Sequence, residues 1–81
     1  MSYEDQHRLS RLLDEFREVG RLVYRLMRRR SNGYVSDTDD IRAEKIRPTI
    51  PYYLKLIRER YPESLPEVLA IMRTFELENV F

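Results

Sequence analysis

The chain has 81 residues, with 15 basic and 14 acidic side chains, one histidine and no cysteine. That composition excludes a disulfide framework, a thiolate metal site and a zinc site built on histidines alone. No apolar run approaches the roughly 18 residues a membrane-spanning helix needs.

A chain this short forms one domain, residues 1–81, and hides only about 60% of its unfolded surface. Tight helix packing or oligomerisation must then do what disulfides or a metal do elsewhere. The net charge of +1 conceals an uneven distribution. Residues 1–19 carry three basic side chains against five acids, residues 20–47 eight against four, and residues 48–81 four against five. The opening Met1-Ser2-Tyr3-Glu4-Asp5 is polar and acidic, unlike a signal peptide. With no cysteine, this points to a cytoplasmic location and no membrane partner.

The first predicted element is a long helix over residues 3–30. Leu9, Leu13, Phe16, Gly20, Val23 and Met27 recur at spacings of four and three, and Leu12, Val19 and Leu26 run beside them. So wide an apolar side suits a helix packed against two neighbours. Gly20 within the seam suggests a close backbone approach, because glycine inside a helix costs about 1 kcal/mol relative to alanine. Ser31-Asn32-Gly33 marks the stop, with glycine suited to a left-handed cap. Such a rod, about 42 Å long, exceeds the width of a globule of this mass. Part of its apolar side is therefore expected to meet a second chain.

The segment Tyr34–Asp37 leads to a second helix capped by Ser36 or Thr38, with Asp39 and Asp40 in its first turn and Ile41 and Ile46 as anchors. Pro48 ends or kinks it. Thr49 is placed to cap a third helix, buried through Ile50, Tyr53, Leu54, Ile57 and Tyr61 and closed by Pro62. Ser64-Leu65-Pro66-Glu67 matches the capping box and opens a fourth helix that buries Leu65, Val68, Leu69, Met72 and Phe75. Leu77, Val80 and Phe81 form an apolar tail. No alternating run suggests a strand. The predicted class is all-α: one long N-terminal helix plus two or three shorter ones, in a bundle completed by oligomerisation.

Arg21, Arg25, Arg28, Arg29 and Arg30 crowd into ten residues with no acid among them. Cations suit a helix C-terminus, and Glu18 together with Asp37, Asp39 and Asp40 can offset them. Yet Arg21–Arg25 and Arg25–Arg29 repel at i,i+4 by a few tenths of a kcal/mol. The surplus suits an acidic protein surface, including the Asp37–Asp40 loop of another copy. The alternative is sequence-blind nucleic-acid binding, aided by tyrosines that stack on bases. An overall charge of +1 and the absence of glycine at the Arg47-Pro48-Thr49 junction argue against a helix-turn-helix.

Catalytic motifs are absent: the two glycines make no phosphate loop, and His7 stands alone. In outline the pattern resembles the small all-helical chorismate mutases, whose long first helix carries arginines that clamp a dicarboxylate. Arg11 and Arg28 would stand for that clamp. The loop Ser36-Asp37-Thr38-Asp39-Asp40 departs from the resemblance, offering acids and no lysine. The expectation is a protein–protein interaction module with no enzymatic activity and no cofactor. It would form a homodimer through Leu9, Leu13, Phe16, Gly20, Val23 and Met27.

Overall fold

The computed structural model describes residues 2–80, with side chains through Glu78. All of the regular structure in it is helical: α1 spans Tyr3–Ser31, α2 Asp37–Ile46, α3 Thr49–Arg60 and α4 Leu65–Thr74. Short 3₁₀ turns at Pro62–Ser64 and Leu77–Val80 precede and follow α4.

Helix α1 runs unbroken for 29 residues. Ser2 caps it, its Oγ accepting from the Asp5 N–H at 3.2 Å, and Glu4 and Asp5 occupy the positive end of the dipole. At the other end Gly33 turns left-handed, with φ +88°. Its N–H donates to the Arg30 carbonyl, and the Tyr34 N–H reaches back to Arg29, both at 3.0 Å. These two bonds are the Schellman closure that a glycine after the last turn permits.

Ser36, rather than Thr38, caps α2: its backbone is extended and its Oγ accepts from the Asp39 N–H at 3.3 Å. Ser36→Ala should therefore lower stability by about 1 kcal/mol, read as a fall of about 4–8 °C in melting temperature. Arg47 and Pro48 keep helical backbone angles, so α2 and α3 are two arms of one kinked unit. Thr49 does not cap α3. It lies inside the helix, and its hydroxyl donates backward to the Ile46 carbonyl across the kink.

The capping box at Ser64 is likewise not realised. A cap side chain reaches its N–H groups from extended backbone, whereas Ser64 has φ −93° and ψ 0° and makes no side-chain cap bond. The preceding 3₁₀ turn has already wound the chain. The Ser64 N–H, which Glu67 would serve in a capping box, donates to the Tyr61 carbonyl instead, and the Leu65 N–H donates to Pro62.

The kinked unit folds back antiparallel to α1. Residues 39–47 lie beside Leu26–Arg30, Tyr53 bonds to Glu15, and Leu56 and Arg60 lie beside Arg8 and Leu12. Helix α4 then returns in the direction of α1, placing Ala70 by Arg17 and Phe75 by Tyr24. The result is 46 Å long and 20 × 16 Å across, its long axis consistent with the length of α1.

Phe16, Val23, Ile50, Ile57, Val68 and Leu77 form the fully buried centre. Two expected anchors lie outside it: Ile41 is 54% exposed and Leu69 50%. Ile41 projects away from α1 because Asp39, Asp40 and Ala43 take the inward side of α2. Leu77, expected in an apolar tail, packs wholly inside. Phe81 and the side chain of Val80 lie outside the described residues. Among the described residues, no helix is long and apolar enough to cross a membrane.

Candidate interaction surface

The seam of α1 meets this chain's own C-terminal half. Leu13, Phe16, Gly20 and Val23 are buried, and Leu9 is half-buried against the same core. At Gly20 the cover is close. A Cβ placed there would stand 3.1 Å from Leu77 Cδ1 and 3.2 Å from Phe75 Cδ2. Most of the stripe expected to face a second copy is thus occupied within one chain. The physical reason is Leu77: the turn after α4 brings it back onto the helix.

The cover stops at Met27, which is 39% exposed. On one side of it, a groove of about 210 Å³ runs between α1 and α2, lined by Leu26, Tyr34, Ala43, Arg30, Asp40 and Glu44 among others. On the other side lies a second groove beside Tyr24, Arg28 and Phe75. Tyr34 and Val35, in the connection to α2, are also exposed, at 51% and 80%. No residue of helix α2 is fully buried, though Ile46 packs half-buried against the core.

The five arginines of this end differ in their surroundings. Arg29 pairs with Asp39 at 3.3 Å and lies 4.4 Å over the Tyr34 ring. Asp39 Oδ2 is buried and makes no hydrogen bond, so that contact is an ion pair without the directional bond. Arg30 faces Asp40 at 3.9 Å, and Arg21 faces Glu18 at 3.6 Å. Arg28 sits 5.8 Å from the centre of the Tyr24 ring. Arg25 has no carboxylate partner among the described residues. The exposed Arg30–Asp40 and Arg21–Glu18 pairs contribute about 0–1 kcal/mol each, so they orient the corner more than they stabilise it. The acids of α2 therefore fold back onto Arg29 and Arg30, leaving Arg25 and Arg28 as the cations facing solvent without an acid beside them.

Arg11 and Arg28 do not come together in one chain. Seventeen residues on an unbroken helix set them about 25 Å apart, too far to bracket a single small dicarboxylate. Arg11 instead pairs with Glu15 at 3.6 Å. Glu15 also accepts from the Tyr53 hydroxyl at 3.3 Å. Burial first, then the Glu15 charge and this bond, hold the Tyr53 phenol above its ordinary range. Among the described residues, no three His, Asp or Glu side chains gather to hold a metal ion.

The exposed apolar corner is masked in the sequence, where Ile41 has the spacing of a core anchor and Val35 sits in a loop. The signal available was α2 itself, whose apolar residues Ile41, Ala43 and Ile46 make no stripe wide enough to bury. Comparisons with protein families, with curated proteins and with solved structures found no match for this chain.

Proposed function

We propose that this chain is a non-catalytic helical interaction module that self-associates through the corner formed by the end of α1 and helix α2. The observation that carries the reading is that no residue of α2 is fully buried and that Ile41 faces outward. Met27, Tyr34 and Val35 are exposed at the same end of the molecule. Four large apolar side chains at one end suit the dry centre of a contact, with charge around it.

The charges there favour a second copy as the occupant. Arg25 and Arg28 lack acids of their own, while Asp37 and Glu44 lie on the neighbouring helix. A two-fold contact places one copy's arginines near the other's acids, and both needs are met by a single self-complementary surface. A foreign acidic protein surface would satisfy only the arginines. Nucleic-acid binding has less support, because three of the five arginines already face carboxylates.

Light scattering at high micromolar concentration tests the reading. The wild type should have the mass of a dimer, and Ile41→Asp combined with Met27→Asp should return it to monomer with unchanged helix content. Both positions are exposed, so the monomer loses little. A monomeric wild type would remove the proposal. Gel retardation at low salt that vanishes on Arg25→Glu with Arg28→Glu would favour nucleic acid instead.

A further inference from the structure

A second groove lies toward the opposite end of α1, where α3 finishes. Leu12 and Leu56, both half-buried, form its floor. Arg8 and Arg11 stand on the α1 rim and Arg60 on the α3 rim. Neither Arg8 nor Arg60 has a carboxylate partner among the described residues. The one acid in the groove, Glu15, is held between Arg11 and the Tyr53 hydroxyl. The site thus brings three guanidinium groups to one engaged carboxylate, and the cations come from two helices far apart in sequence.

Size decides what such a groove holds. Its volume, about 200 Å³, falls below the roughly 300–1,000 Å³ of pockets that enclose a small ligand. Being open to solvent, it would leave most of a free small molecule in water. One or two leucine-sized side chains fit the floor, and carboxylates carried beside them reach both rims. That is the pattern of an amphipathic helix laid in a groove, with anchors three or four residues apart. Arginine on both rims selects acids, since each fork can donate two parallel N–H bonds to one carboxylate.

We infer that the α1–α3 groove bearing Arg8, Arg11 and Arg60 is a docking site for an acidic amphipathic helix of a partner protein. Leucine-type anchors would sit on Leu12 and Leu56, with flanking carboxylates on the arginines. The site is distinct from the α1–α2 corner and does not depend on self-association there. A chain with both surfaces joins its own copies to an acidic partner.

Fluorescence anisotropy with three labelled helical peptides tests this on the full chain. One peptide carries leucines flanked by glutamates, one the same leucines flanked by lysines, and one the glutamates with alanines in place of the leucines. The Glu–Leu peptide should bind at least about tenfold more tightly than either control. Arg8→Glu with Arg60→Glu should weaken it at least about tenfold while circular dichroism is unchanged, both side chains being exposed. Ile41→Asp with Met27→Asp should leave peptide binding intact even if those variants abolish the dimer. Absence of binding at millimolar peptide, equal binding of the lysine peptide, or indifference to the arginine changes would each overturn the assignment.

Discussion

Gly20→Leu should lower the stability of this protein by about 3 kcal/mol and its melting temperature by about 15 °C, measured by thermal circular dichroism. Away from tertiary contact, the same change would favour the helix by somewhat under 1 kcal/mol, because leucine is the better helix former. Here that gain is overwhelmed. Already at Cβ the nearest atoms of Leu77 and Phe75 stand 3.1 and 3.2 Å away, before the rest of the leucine is placed. Either α1 and the turn after α4 part, or Leu77 leaves its site. A double-mutant cycle separates this from a simple loss of helix. Leu77→Ala empties the space that the new side chain needs. The two changes together should therefore cost about 1–2 kcal/mol less than their sum. Strict additivity would mean that the two residues do not meet.

Phe16→Ala should be the most damaging truncation, costing about 3–5 kcal/mol in urea unfolding with the denaturant slope preserved. Phe16 is fully buried and meets the Tyr53 ring edge-on at 6.3 Å, so both packing and an aromatic pair are lost. A domain of this size has about 4–12 kcal/mol in total, so the loss removes from about a quarter to all of it. Phe16→Leu keeps most of the volume and should recover more than half of that loss. A cost below about 1 kcal/mol for Phe16→Ala would mean that the centre of the bundle is not where Phe16 sits.

The helices were readable because their signals are local. Seam spacing announced α1, Gly33 its end, Ser36 or Thr38 the cap of α2, and Pro48 an end or a kink after it. What failed depended on the path of the chain between elements. Ser64 resembles a cap by sequence, but the 3₁₀ turn before it changes its backbone, and residue type alone does not report that. The turn after α4 was hidden for a different reason. Its left-handed residue is Glu76, at φ 54°, where a glycine would have announced the turn. Without a glycine to mark that turn, nothing in the sequence announces that Leu77 returns, and the seam of α1 looks uncovered within one chain. The candidate surfaces were legible in part. The arginine cluster was plain, but its pairing with Asp39 and Asp40 is tertiary. The Arg8–Arg60 groove joins residues more than fifty positions apart, which no short-range pattern can disclose.

The lock between Gly20 and Leu77 also bears on how the molecule is made. Ribosomes add about 5–20 residues per second, so several seconds separate the synthesis of the two positions. Throughout that interval Phe16, Gly20 and Val23 have been made and their final cover has not. A nascent α1 is therefore a greasy rod awaiting its lid, and holding chaperones or neighbouring nascent chains have their best chance to bind it before residue 77 arrives.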